Sequence, residues 1–283
     1  MQQRIFDSHH HLWDYDPHQY PWIPKQSVAA KSYDLDDLAR HAGPYRVNAT
    51  IAVHARQTLE ETEYLVELAK RHTLCAGVVG WAPMLDERIG EILERYTNEP
   101  LIKGVRYAIQ NEQDPQFMLS PDFLRGLEAV SRTNLRYDIL ICGHQLPSAI
   151  EMVDKLPADM PFVLDHIAKP MIKSDQFDHL WARGLTELAK HPNVMCKFSG
   201  LVSEVRADRW SVGMLKPYFD TVLQAFGTDR LMFGSDWPVC LLKSDYQSWV
   251  QAVIELILEL TDEEQDQFLY QNAAEFYGCN LNP

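Results

Sequence analysis

A closed (β/α)8 barrel is the fold this sequence predicts, and three observations predict it. Eight short, nearly continuously apolar runs are spread along the chain, as expected of strands buried on both faces. Amphipathic stretches with recognisable helix starts separate most of them, and strands alternating with helices imply a parallel sheet. The 283 residues suit eight such units, since the fold typically takes ~250 residues. At 46% hydrophobic, a chain this long buries a large core. No linker or low-complexity segment divides it, so residues 1–283 are expected to form one domain. The rival fold, an open doubly wound sheet, calls for a Gly-rich phosphate turn after the first strand. Three consecutive histidines stand there instead.

In order, the apolar runs are residues 4–6 (RIF), 48–53 (NATIAV), 75–82 (CAGVVGWA), 101–105 (LIKGV), 138–142 (DILIC), 161–165 (PFVLD), 193–198 (NVMCKF) and 230–233 (RLMF). Thr58 and Glu61 have capping-box spacing ahead of TEYLVELAKRH. Ser120-Pro121-Asp122 opens the helical stretch FLRGLEAVSR, and Thr261 with Glu264 caps the last one. Helical patterns also occupy 86–96, 148–155, 175–190, 212–226 and 246–259. The helix from 175 is stopped at His191-Pro192, because proline cannot continue it. Residues 15–26 (YDPHQYPWIPKQ) read as a long loop placed to lie over a pocket.

A net charge of −14 without any basic run repels phosphate backbones and anionic membranes. Neither a nucleic acid nor a membrane is therefore expected as a partner. No apolar stretch reaches the ~18 residues a spanning helix needs. A polar cluster follows the N-terminus too soon for a signal peptide. Cys75, Cys142, Cys196, Cys240 and Cys279 form no C-x-x-C pair. Most lie in apolar runs and read as reduced core residues of a cytoplasmic protein. The expectation is a small-molecule substrate, acted on by a monomer or homodimer.

Catalysis in such a barrel sits at the C-terminal ends of the strands. Asp7, His9 and His11 occupy alternating positions. If the backbone stays extended to residue 11, His9 and His11 face one way and His10 the other. Two imidazoles so placed can share one metal ion or position a substrate carbonyl; His10 is expected to pack or hydrogen-bond behind them. His166 closes the sixth run, where a structural and a functional role are equally suited to a lone histidine. Asp236 follows the eighth, and an unpaired buried carboxylate is expensive. A metal, a histidine partner or a general-base role would each explain it. A helix N-cap is the plain alternative, but Trp237-Pro238-Val239 delays any helix. Other strand ends carry Arg56 and Gln57, Arg106 and Tyr107, His144 and Gln145, and Lys197 and Ser199. Each suits a substrate contact or a structural hydrogen bond, and Lys197 also suits an ion pair inside the barrel.

The segments DSHHHLWD, GVRY, QLP, LDHIAKP, KFSGL and FGSDWPV, in this order, resemble the amidohydrolase superfamily. Within it they are similar to the amidohydrolase family 2 branch and its sugar-lactone hydrolase group, over residues 4 to about 275. The resemblance implies that His9, His11, His166 and Asp236 meet in one site. His9, His11 and Asp236 would hold one Zn2+ or other divalent ion, with Asp236 and His166 catalytic. Binuclear members bridge two metals with a carboxylated lysine after strand four; Arg106 stands there in this chain, with Lys103 deeper. A bridged metal pair is therefore not expected, and mononuclear and metal-independent designs both stay open. His144, in the GHQLP context, is read as a substrate contact.

The implied reaction is hydrolysis of a sugar-derived γ-lactone. Asp236 would take a proton from water and return it to the leaving hydroxyl, the oxyanion being met by the metal or by His166. Arg56, Arg106, Tyr107 and His144 would orient hydroxyl groups, with Trp13 and Trp237 offering apolar faces to a sugar ring. A dicarboxylate would call for more arginines at the strand ends, so a neutral lactone is preferred. The alternative from the same branch is a metal-dependent decarboxylase of an aromatic or unsaturated carboxylic acid, with Arg106 on the carboxylate. A binding module on a decayed barrel is disfavoured, since all four central residues are retained.

Overall fold

The computed structural model describes residues 3–279. Eight parallel strands, β1 (Ile5–His10), β2 (Val47–Val53), β3 (Cys75–Trp81), β4 (Ile102–Tyr107), β5 (Arg136–Ile139), β6 (Phe162–Leu164), β7 (Val194–Phe198) and β8 (Leu231–Phe233), pair in sequence order. Around them run α1 (Leu35–Ala42), α2 (Leu59–Arg71), α3 (Ile89–Thr97), α4 (Pro121–Ser131), α5 (Leu146–Asp154), α6 (His179–Leu188), the short α7 (Leu201–Glu204), α8 (Val212–Phe226) and α9 (Tyr246–Leu256). Then α10 (Asp262–Asp266) continues through a π-helical segment (Gln267–Gln271) into α11 (Asn272–Phe276). Residues just beyond β8 close the ring. Asp236 N donates to His9 O at 2.7 Å and His11 N to Trp237 O at 2.6 Å, with a parallel bridge between His10 and Trp237. This is the (β/α)8 barrel the apolar runs predict.

Most predicted strands shift by a residue or two, but the fifth moves earlier, to Arg136–Ile139 instead of 138–142. It carries the fully buried Asp138, which bonds Lys197 of β7. The helix starts hold. Ser120 accepts from Phe123 N at 3.4 Å, and Thr261 and Glu264 form the reciprocal box. At α2 only half the box forms: Thr58 accepts from Glu61 N at 3.2 Å. The Glu61 carboxylate instead accepts from Ala55 N at 3.0 Å and the Tyr20 hydroxyl at 2.7 Å. It thereby anchors the 15–26 loop, whose base is closed by reciprocal Trp13–Tyr33 backbone bonds.

Local irregularity in β1 decides which side chains enter the barrel. Asp7 pairs with Thr50 and His10 with Ala52, so three residues of β1 span two of β2. One extra residue exchanges the two faces of a strand. Phe6 packs inside with Ile51, Val79, Val163 and Met232, and His9 follows on that side. Asp7 is turned outward, accepting from Ser235 N at 2.8 Å and the Tyr246 hydroxyl of α9 at 3.2 Å. Simple alternation from Asp7 to His9 therefore fails, while alternation from His9 to His11 holds.

The opposite mouth of the barrel is plugged by the C-terminal helical run. Tyr270, Ala273, Phe276 and Tyr277 pack on Phe6, Val163 and Met232. Asn272 donates to Leu231 O at 2.6 Å, at the start of β8. The C-terminal ends of the strands lie at the other mouth, away from this plug. Among the described residues no helix is long and apolar enough to cross a membrane.

Candidate active site

His9, His11, His166 and Asp236, distant in sequence, meet at the C-terminal ends of β1, β6 and β8. Nε2 of His9 and Nε2 of His11 are 3.3 Å apart, and His11 Nε2 lies 3.3 Å from Asp236 Oδ1. His9 Nε2 and His166 Nε2 lie 4.0 and 3.9 Å from that oxygen. All four residues are buried. His10 points away, with its Nε2 2.9 Å from Thr50 Oγ1; burial pushes its imidazole down to about 3, so it stays neutral. Two of three consecutive histidines converge and the middle one supports the wall behind them.

The surroundings fix the tautomers. His11 Nδ1 donates to Val53 O at 2.7 Å, which leaves Nε2 as a lone pair. Asp165 Oδ1 lies 3.2 Å from His9 Nδ1, and an anion there favours the proton on Nδ1 and the lone pair on Nε2. Burial holds His9 well below the ordinary histidine range, against the pull of Asp165. Burial acts to raise the Asp236 carboxyl, but attraction to the neighbouring imidazoles in their protonated or donating forms, His166 foremost, brings it below the usual range. Two imidazole lone pairs and a carboxylate oxygen therefore face one another within 4.0 Å. Three electron-rich atoms that close repel unless a cation lies between them. Tetrahedral zinc, with bonds of ~2.0–2.1 Å to N and O, separates its ligands by similar distances. His9, His11 and Asp236 are thus suited to a single divalent ion, with Val53 O and Asp165 orienting the two rings.

A second grouping, His9, Asp165 and His166, has comparable spacing but is already neutralised. Asp165 lies 2.9 Å from Arg106 Nη1 and 3.1 Å from Lys197 Nζ. Lys197 also bonds Asp138, and the Tyr277 hydroxyl donates to Asp138 at 3.1 Å. Lys197, Arg106 and His9 keep Asp165 well below the ordinary carboxylate range despite burial. Burial and repulsion from Asp165 push Asp138 upward.

His166 is held in an unusual way. Residues His166, Ile167, Ala168 and Lys169 all have positive φ, 52, 47, 60 and 48°, a left-handed turn without a glycine. Its Nδ1 lies 2.9 Å from Ser199 Oγ, and burial depresses the imidazole to about 4, so the ring is neutral near pH 7. Gly200, at φ +71°, lets the end of β7 approach this pair. A Cβ there would lie 2.6 Å from His166 Nδ1 and 3.0 Å from Asp236 Oδ2. Gly200→Ala is expected to cost about 1–2 kcal/mol in backbone strain. Because it also displaces both side chains, kcat should fall by roughly 100-fold. A variant with lowered thermal midpoint but unchanged kcat would show that the close approach serves packing alone.

The peripheral expectations fare unevenly. Arg106 reaches the centre, but as a buried strut: Nη1 lies 3.3 Å from His9 Nε2 and the guanidinium also bonds the His54 carbonyl, so it is not a free arm for substrate hydroxyls. Arg56 lies at the rim, 3.4 Å from Glu61 and over the Tyr20 ring, tying down the 15–26 loop. Tyr107 donates to Glu112 at 3.0 Å and stacks on Phe117. His144 is exposed beyond β5. Trp13 and Trp237 correct the expectation of exposed sugar-facing rings, since both are fully buried. Trp13 donates to Lys31 O at 2.9 Å, and Trp237 packs edge-on to Tyr33 at 4.9 Å. Loop closure covers both. Trp22, nearly half exposed and bonded to Ala55 O at 3.1 Å, is an indole left open at the rim.

Sequence reading missed His54, Asp138 and Asp165. All three carried a signal, a titratable group within or ending an apolar strand, but not the identity of its partner.

A barrel whose strand ends gather an H-x-H pair, a histidine and an ionised aspartate around one cation position has the architecture of a hydrolase that activates water. Residues 6–279 match the model of the amidohydrolase family, and the chain belongs to that family. It is 39% identical to L-fucono-1,5-lactonase of Burkholderia multivorans, over 87% of this chain and 86% of that protein. It is 26% identical to L-rhamnono-gamma-lactonase of Scheffersomyces stipitis, over 74% and 70%. A crystal structure of a Burkholderia multivorans amidohydrolase with bound zinc superposes with a TM-score of 0.92 at 33% identity, covering 98% of this chain and 99% of that one. A manganese-bound dihydroxybenzoic acid decarboxylase from Polaromonas shares the fold at 12% identity and TM-score 0.67. That likeness concerns the fold alone.

Proposed function

We propose that this chain hydrolyses a neutral sugar lactone, with Asp236 as general base and His166 as the donor facing the reacting carbonyl. The carrying observation is the Asp236 carboxylate 3.3–4.0 Å from three imidazole nitrogens at the C-terminal end of the barrel. The names of its relatives supply the substrate class. The carboxylate of Asp236 takes a proton from water, whose oxygen bonds to the lactone carbonyl carbon. The ring C–O bond then breaks, and Asp236 returns the proton to the departing oxygen. The new carboxylic acid releases its own proton to solvent.

Asp236 Oδ1 is an anion 3.9 Å from His166 Nε2 and favours the proton on that nitrogen. Ser199 Oγ–H then donates to Nδ1, and a neutral Nε2–H is left to stabilise the oxyanion. A divalent ion on His9, His11 and Asp236, when bound, polarises the carbonyl and lowers the pKa of water. Arg106 and Asp165 keep His9 oriented. His144 and Trp22 are the rim groups open to ring hydroxyls and the sugar face. The same reading has the chain acting without a nucleic acid, as a monomer or homodimer. A cytoplasmic setting is consistent with five free cysteines.

The test is a pH-indicator screen of γ- and δ-aldonolactones beside aromatic acids monitored for carbon dioxide, each before and after chelation. Acid release from a sugar lactone above the blank supports the proposal; carbon dioxide from an aromatic acid, without lactone opening, overturns it in favour of the decarboxylase. The pH profile is a further check. Asp236 must be ionised and lies below its usual range, while His166 is neutral above about 4. The acid limb of kcat/KM should therefore fall at or below about pH 4, with a plateau through neutrality. A limb centred near the ordinary histidine value would remove this assignment.

A further inference from the structure

We propose that Lys169 is a substrate-touching cation of this centre, meeting the negative charge that forms on the lactone carbonyl and remains on the product carboxylate. The inference rests on the lactone reading above and names a residue that reading leaves unused.

The first observation is the backbone. Four consecutive non-glycine residues, 166–169, lie in the left-handed region, which L side chains adopt only under strain. Strain of this kind persists where the surrounding structure enforces it, commonly at functional sites. Here the enforcement is visible. Ile167 and Ala168 are fully buried, Trp181 Nε1 donates to Ile167 O at 2.6 Å, and Lys169 N donates to His166 O at 2.8 Å. Residues three apart on a helical turn share a face, in the mirror-image turn as in the ordinary one. The turn therefore places Lys169 on the side of His166.

The second observation is where the ammonium ends. Its Nζ lies 3.9 Å from Glu204 Oε1. Glu204 ends α7, the short helix capped by Gly200, a position where an added Cβ would run into His166 and Asp236. Arg206 lies 3.3 Å from the other Glu204 oxygen, so Glu204 is shared and the pair is loose. Among the described residues Lys169 Nζ makes this ion pair and no hydrogen bond, leaving its N–H groups for a ligand. The side chain is only partly buried. Lys169 exchanges no proton in the reaction; it neutralises charge while Asp236 carries the proton.

The test uses Lys169→Met, Lys169→Arg and Lys169→Gly, with L-fucono-1,5-lactone as substrate probe and L-fuconate as product probe. In Lys169→Met, kcat should fall by roughly 100-fold with KM changed little, the size of losing one oxyanion partner. Lys169→Arg should recover much of that loss. L-Fuconate should bind Lys169→Met about 10-fold more weakly, whereas a neutral polyol should bind it as before. Lys169→Gly separates charge from shape: it relieves the positive φ and should raise the thermal midpoint while kcat stays low. Turnover of Lys169→Met within threefold of the parent, or equal loss in the Arg and Met variants, overturns the proposal. If the parent opens no lactone, the functional reading fails. Weaker L-fuconate binding in Lys169→Met would then still uphold the cation site; unchanged or absent binding would overturn it too.

Discussion

Asp236→Asn is expected to lower kcat for lactone opening by roughly 10²–10⁴-fold, the usual contribution of a positioned general base, without unfolding the barrel. The residue sits at φ +55°, and asparagine is among the few side chains that adopt this region readily. The backbone bonds that close the ring here, Asp236 N to His9 O and Cys240 N to Asp236 O, do not involve the side chain. The change removes what the chemistry needs, an anionic acceptor whose carboxyl lies below the usual range despite its burial. Acid release and a thermal melt on the same preparation check both halves. A variant within tenfold of the parent in kcat would dismiss Asp236 as the base.

Lys197→Met should give the largest loss of stability, about 3–5 kcal/mol, because it leaves buried carboxylates without their shared cation. Lys197 is fully buried and bonds both Asp138 and Asp165; only Arg106 and His9 would remain on Asp165, and the Tyr277 hydroxyl on Asp138. At roughly 2–4 °C per kcal/mol for a chain of this order, the melt should drop by about 10 °C. The sign of its pH dependence follows. Without the ammonium, the folded state favours protonated carboxyls, so their folded pKa rises above the unfolded value. The folded variant then binds more protons than the unfolded chain, and its stability falls as pH rises. Relative to the parent, the deficit should be largest at neutral pH and shrink as pH approaches about 4. Denaturant titrations at two pH values read this directly. A deficit that is small, or independent of pH, would mean that Lys197 does not hold ionised partners.

Much of the centre was legible because barrel chemistry is confined to strand ends. Once eight apolar runs were counted, His9, His11, His166 and Asp236 stood out as the groups closing three of them, and the two-residue period separated His10 from its neighbours. The periphery was less legible. Trp13 and Trp237 were expected to face a sugar, yet exposure depends on how the 14–32 excursion folds back, and it buries both. Arg106 was expected to contact substrate hydroxyls, but its role depends on Asp165, 59 positions away, a pairing invisible in one dimension. Asp138 and His54 were overlooked for the same reason.

What the sequence determined by itself was the alternation of strands and helices and the set of titratable groups at the catalytic rim. Both are periodic or local properties, written in side-chain polarity at fixed spacing. Only the tertiary structure decided the inward turn of His9 after an extra residue in β1, the left-handed turn that carries His166 and Lys169, and the ion pairs beneath them. Each of these depends on register between distant strands or on strain held by packing, and neither quantity is encoded in the spacing of residues along one chain.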